Sequence, residues 1–345
     1  MRTAVVLFNL GGPDELASVK PFLFNLFNDA AIISLPNPFR WLLAKCISSR
    51  RAAKARGIYQ KIGGKSPLLE LTQAQANALE QELKPKGEYK IFVSMRYWHP
   101  MSGTVVKNVK HYAPDRIILL PLYPQFSTTT TASSFADWDE AAKHSGLEVP
   151  TTRICCYPTQ RGLIAAHAKL IRDSYWKAAE HGKPRILFSA HGLPEKCIAG
   201  GDPYQWQVEK TVAAIVHVLA IHEIDYAICY QSRVGPLKWI GPATEEEIIR
   251  AGAARTPVVV VPVAFVSEHS ETLVELDIDY RRLASECGIP DYQRVAALGT
   301  EKLFIEGLAA LCVNTGASEA VSSFEKTRYC PRNFDKCICT ETSDD

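Results

Sequence analysis

Eight short runs of Ile, Val and Leu, with little alternation between apolar and polar positions, constrain this 345-residue chain more than any other feature. They fall at 4–9, 90–96, 116–123 and 152–157, and again at 185–191, 226–231, 258–265 and 293–298. Strands that alternate have one wet face; unbroken apolar strands are buried on both, as in parallel sheets covered by helices. Helix-period patterns lie between the runs, for example at 72–83, 161–179 and 268–285. Alternating strand and helix predicts right-handed crossovers. Two sets of about four strands predict two similar doubly wound α/β lobes with a cleft between them. The expected division is residues 1–150, residues 151–315 and a C-terminal extension over 316–345.

Ligands in such folds sit at the carboxyl ends of strands, and here those loops are chemically loaded. The first half carries Asn9-Leu10-Gly11-Gly12-Pro13, Arg96-Tyr97-Trp98-His99-Pro100 and Tyr123-Pro124-Gln125-Phe126-Ser127. The second carries His191-Gly192-Leu193-Pro194, Gln231-Ser232-Arg233-Val234-Gly235-Pro236 and Ser267-Glu268-His269. Neither Gly11-Gly12 nor Gly63-Gly64-Lys65-Ser66 has the spacing of a dinucleotide fingerprint or a phosphate loop, so no nucleotide is expected.

Composition narrows the partners. With 39 basic against 37 acidic side chains, the chain has no field for nucleic acid. No apolar run approaches the roughly 20 residues that span a bilayer. The first residues read as a strand rather than a targeting segment, which predicts a cytoplasmic protein. In that compartment ten cysteines are expected as thiols, so clustering among them points to metal.

Five groups of residues carry chemistry. His191 ends a buried strand; it can be a loop histidine bonded to backbone, a base or a metal ligand. On an α-helix Glu268, Glu271, Glu275 and Asp279 fall within roughly an 80° stripe. Such a stripe is commonly a solvated face. Here Leu276, Tyr280 and Leu283 flank it on one side and Val274 with Ile278 on the other, which predicts an internal wet channel for protons or a cation. Arg50, Arg51, Tyr59, Arg96, Tyr97, Tyr123 and Trp239 suit a flat aromatic ligand with peripheral carboxylates. Residues 21–43 read as an apolar lip, broken by prolines and followed by Arg50, Arg51, Lys54 and Arg56. That lip would admit a greasy ligand or make peripheral contact with the inner face of a membrane. Last, Cys330, Cys337 and Cys339 lie in a polar tail that cannot bury a core. They predict a metal or cluster site whose fourth ligand comes from Cys155 or Cys156.

Several of these segments together resemble ferrochelatase. They are Phe8-Asn9-Leu10-Gly11-Gly12-Pro13, Tyr59-Gln60-Lys61-Ile62-Gly63-Gly64-Lys65-Ser66-Pro67 and Phe188-Ser189-Ala190-His191-Gly192-Leu193-Pro194. The stretch from Tyr230-Gln231-Ser232-Arg233 through Trp239-Ile240-Gly241-Pro242, and Pro262-Val263-Ala264-Phe265 through Glu271-Thr272-Leu273, continue the family's order. The resemblance implies two Rossmann-like, chelatase-type lobes that insert Fe²⁺ into protoporphyrin IX with release of two protons. By motif position it assigns His191 and Glu271 to the inner metal site. It assigns Glu268, His269, Glu275 and Asp279 to the polar track leading there. The porphyrin pocket would comprise Leu10, Arg51, Tyr59, Ser66, Tyr123, Val234, Trp239 and Phe265. The tail resembles that of members holding a [2Fe–2S] cluster; Thr128 stands where animal members place their fourth cysteine, so Cys156 is taken here, with Cys155 second. A cobalt or coproporphyrin chelatase, a non-catalytic haem or iron carrier, and a zinc site in the tail are the alternatives.

Overall fold

The computed structural model describes residues 1–233, 235, 237–315, 321–325 and 327–339. The chain divides into two compact units. One comprises Met1–Cys156, Leu308–Tyr329 and Ile338–Asp345; the other comprises Tyr157–Gly307 and Cys330–Cys337.

The first unit is built on β1 (Arg2–Asn9), β2 (Glu88–Met95), β3 (Arg116–Pro121) and β4 (Thr151–Ile154), with β9 (Val321–Ser322) at the edge. All pair in parallel in the order β2-β1-β3-β4-β9. The interior strand β1 is buried from Thr3 to Asn9, as its unalternating sequence requires. Phe8 packs edge-on against Phe135 and Trp138 on one face of this sheet.

The second unit carries β5 (Arg185–His191), β6 (Asp225–Gln231), β7 (Val258–Pro262) and β8 (Tyr292–Arg294), again all parallel, in the order β6-β5-β7-β8. Every residue of β7 is buried. Helices Arg161–Ala179 and Tyr204–Leu219 cover one face, closing over Phe188, Val259 and Val261. Both sheets are thus the expected parallel α/β type.

Three points of the sequence reading need correction. Strands β3 and β7 stop at Pro121 and Pro262, short of Tyr123 and Phe265; Leu122 and Val263 each donate one last bond, to the Phe8 and Ser189 carbonyls, before the chain leaves the sheet. The edge strand β9 escaped notice, since two residues carry no periodicity. Residues 21–43 are broken where their prolines lie: helices Val19–Phe27 and Phe39–Gln60 flank a turn. Residues 271–279 are not α-helical: Glu271–Asp279 is a π-helix, and only Tyr280–Glu286 continues as α-helix.

Candidate active site

The site is assembled from loops that follow β5, β6 and β7. His191 is the last residue of β5, and Gly192 turns the chain sharply behind it. The Gly192 N–H donates to the Gln231 carbonyl at 2.9 Å. A Cβ on Gly192 would lie 3.1 Å from that carbonyl and 3.2 Å from the Trp239 ring, so a side chain here would push the turn off β6. Trp239 therefore packs over the histidine turn, where a backbone bridge joins it to Pro194.

His191 Nδ1 lies 2.7 Å from the Gly192 carbonyl. The carbonyl can only accept, so the proton is assigned to Nδ1 and the Nε2 lone pair is left open. That Nε2 stands 3.6 Å from Glu271 Oε1. Of the readings given for His191, the backbone bond is present, at Nδ1. Glu271 Oε2 is buried without a partner, as is Glu268 Oε2. Buried carboxylate oxygens in that condition are costly unless a proton or a cation visits them.

The π-helix arranges the remaining acids. At about 4.4 residues per turn, each residue advances about 82°, so Glu271, Glu275 and Asp279 remain within about 65° of one another. A spacing of four suits this geometry better than the α-helix assumed from sequence. All three are half-buried, while Thr272, Val274 and Leu276 between them face the interior. Ile278, expected to seal one flank, is instead exposed.

His269 acts at the start of this segment. The Glu271 N–H donates to His269 Nδ1 at 3.0 Å, which fixes the imidazole in its Nε2–H form. Burial pushes its pKa below the ordinary value, with Glu271 and Glu268 opposing and His191 assisting. Its ring stands edge-on to Phe265, 4.5 Å between centroids.

Glu275 is held by the loop after β6. It accepts from the Ser232 N–H at 2.8 Å, from the Ser232 hydroxyl, from Tyr280 Oη at 3.1 Å and from Gln231 Nε2 at 3.4 Å. Burial, then the nearby Glu271, raises its pKa, and the Ser232 donors oppose that rise. Glu268 is held differently: one oxygen accepts from Arg294 and from the Ala297 N–H at 2.9 Å. Three residues here were not read from the sequence as site residues. Ser232 and Arg294 grip the acids, and the buried Tyr204 lies against the His191 backbone and close enough to Glu271 to feel its charge. Only Ser232 had a signal, its place in a loaded strand-end loop. Val234 lies outside the described residues.

In the first unit, Leu10 and Tyr59 share one apolar cluster with Phe22 and Tyr97. Ser66 approaches Gly12 so closely that a Cβ there would meet its side chain, and the Tyr59 hydroxyl lies beyond. Arg51 stacks on Phe27 at 5.6 Å. Tyr123 packs with a different cluster, beside Phe8 and Trp138. The four cysteines are 1% (Cys156), 3% (Cys330), 7% (Cys337) and 2% (Cys339) exposed. Gln207 donates to Cys330 Sγ at 3.0 Å, and Cys339 Sγ lies 3.5 Å from the carbonyls of Val321 and Thr327. Cys155 and Cys156 have their sulfurs 3.7 Å apart. Among the described residues, no group of three or more His, Cys, Asp or Glu side chains is arranged to hold a metal ion. Nor is any helix among them long and apolar enough to cross a membrane.

Parallel α/β sheets with chemistry at their strand ends put the chain in the chelatase fold class. SirB from Bacillus subtilis, solved with Fe³⁺, superposes with a TM-score of 0.52 at 12% identity, over 90% of this chain and 93% of that one. DR2241 from Deinococcus radiodurans, a multi-domain protein structurally similar to chelatases, gives 0.52 at 13% identity, over 92% of this chain and 56% of that one. The ferrochelatase family model matches residues 2–315. Curated ferrochelatases from a Wolbachia of Drosophila simulans (strain wRi), from Pelagibacter ubique and from Caulobacter vibrioides are 54%, 49% and 52% identical to it. Those alignments cover 91%, 98% and 99% of this chain, and 99%, 99% and 98% of the relatives. The chain belongs to the ferrochelatase family, the metal-insertion lyases of haem biosynthesis.

Proposed function

We propose that the chain inserts Fe²⁺ into protoporphyrin IX at His191 and Glu271. The observation that carries this reading is the open His191 Nε2, 3.6 Å from a carboxylate whose other oxygen is buried and unpartnered. Metallation in water is slow because a flat ring presents its nitrogens poorly, two of them carry protons, and the metal is hydrated. A neutral imidazole beside a carboxylate addresses the last two obstacles. The His191 Nε2 accepts a pyrrole proton, and the imidazolium so formed is stabilised by Glu271. The second proton passes to the carboxylates, and Fe²⁺ exchanges water for four pyrrole nitrogens. Two protons leave for each iron that enters. Glu268, His269, Glu275 and Asp279 form the polar track. Glu275 suits proton storage because burial already favours its neutral form.

The macrocycle is assigned to Leu10, Arg51, Tyr59, Ser66, Tyr123, Val234, Trp239 and Phe265. Apolar groups there hold its faces, bending the ring at the expense of peripheral binding energy, and Arg51 pairs with its acids. Ile32, Leu35, Phe39, Trp41, Leu42 and Leu43 are all exposed, which supports a lip that touches the membrane surface and admits the porphyrin. We assign Cys156, Cys330, Cys337 and Cys339 to a [2Fe–2S] cluster, on the soft-ligand chemistry of three buried thiols in a polar tail and a fourth just after β4. No step of insertion uses it. An anaerobic assay of protoporphyrin and coproporphyrin, each with Fe²⁺ and Co²⁺, tests the reading by loss of porphyrin fluorescence. Fastest turnover with Fe²⁺ and protoporphyrin is expected. Preference for another pair contradicts the substrate assignment, and binding without insertion contradicts the catalytic one.

A further inference from the structure

We infer that Arg294 is a positioning residue for metal insertion, because it holds the π-helix in the register that aims Glu271 at His191. The inference rests on the insertion reading above. Arg294 ends β8 with its side chain only 11% exposed. Its guanidinium grips two acids on either side of the catalytic carboxylate. Nη1 donates to Glu268, three residues before Glu271. Nη2 and Nε donate to Asp277 Oδ2, at 2.6 and 3.0 Å, six residues after it. The neighbouring Tyr292 hydroxyl donates to the Leu276 carbonyl at 2.6 Å, so one short edge strand holds the segment at several points.

The geometry explains why such a grip is needed. A π-helix is rare, and its intrinsic alternative is the α-helix, which turns about 18° more per residue. Between Glu271 and Asp277 that difference accumulates to about 110°. If Asp277 stayed on Arg294, an α-helical segment would swing Glu271 away from His191 Nε2. If Glu271 stayed, Asp277 would leave the guanidinium. The planar fork of Arg294 spans both carboxylates and so penalises the α-helical register, which a single ammonium cannot do. The pairing also leaves Glu268 Oε2 buried and unpartnered, in a fixed place on the proposed track.

The test is steady-state Fe²⁺ insertion by the full chain with Arg294→Ala and Arg294→Lys, alongside porphyrin binding and thermal melting. A misplaced reacting group costs about 100-fold in rate. We expect kcat to fall by about that factor in Arg294→Ala, with the porphyrin KM within about twofold of the parent and the fold intact at the assay temperature. Arg294→Lys, reaching one acid at a time, should fall between. A folded variant that keeps kcat within about threefold overturns the inference. So does a fall in kcat matched by an equal rise in porphyrin KM, which would mark general loosening. If Arg294→Ala does not fold, Arg294→Lys decides by the same criteria. His191→Ala is assayed in parallel: full turnover there defeats the insertion reading itself, whereas an inactive His191→Ala beside an unaffected Arg294 variant defeats only the clamp.

Discussion

His191 Nε2 faces Glu271 Oε1 across 3.6 Å, while the Nδ1 of the same ring is committed to the Gly192 carbonyl. The pair joins the end of a buried strand to the first residue of a π-helix. Strand end and helix start are rigid elements, so the separation is set by the fold and not by a flexible loop.

Glu275 is half-buried near Glu271, and its raised pKa has a definite sign in stability. Stabilisation from this group is fully present below the unfolded carboxylate value and is lost as pH rises through the raised one. Glu275→Gln should therefore remove part of the parent's loss of stability above that range, seen by denaturant unfolding across pH. Turnover should fall about 10-fold, less than for a group acting directly on the reacting atoms. Unchanged turnover would remove Glu275 from the proton track.

His167 lies fully inside the helix Arg161–Ala179 with neither ring nitrogen partnered. Burial pushes its pKa down to about 4. The unfolded chain takes that proton first, so stability is complete above about 6.5 and falls as pH drops toward about 4, by about 3 kcal/mol in all. His167→Leu should flatten this acid limb and stabilise the neutral protein by about 1–3 kcal/mol. An acid limb unchanged by the substitution would contradict the assignment.

The strands and crossovers were legible because unbroken Val-Val-Val-Val runs such as 258–261 have few other solutions. His191 was legible because strand-end position and residue type coincide. The π-helix was not. Spacing of four between Glu271, Glu275 and Asp279 fits either helix, and what selects the wider one is Arg294, fifteen residues beyond Asp279 in sequence. Long-range ion pairs leave no periodic trace. The same holds for Asp29, which gathers Arg96, Tyr97 and Ser133 from far along the chain.

That Asp29 centre fixes the loop residues Arg96 and Tyr97. Burial alone would raise its carboxyl, but Ser133, Arg96 and Tyr97 hold it below the usual range. Its contribution is thus present above the ordinary carboxylate value and lost as pH falls through the lowered one. Asp29→Ala strands Arg96, 18% exposed, without its best partner. The expected cost is about 3–5 kcal/mol in unfolding free energy. A loss below about 1 kcal/mol would show the network to be dispensable.

The cysteine tail makes a prediction independent of turnover. Protein purified without oxygen should be brown, with iron and sulfide in equal amounts, and Cys337→Ser should abolish the colour. Colourless protein carrying one zinc would assign the thiols to a zinc site instead.

In the proposed reaction the imidazole of His191 takes the pyrrole proton. Anaerobic turnover of Fe²⁺ and protoporphyrin by His191→Ala, with porphyrin binding measured separately by fluorescence, tests it most directly. Nearly all insertion should be lost, by at least about 100-fold, with binding retained. Turnover equal to the parent's would contradict it.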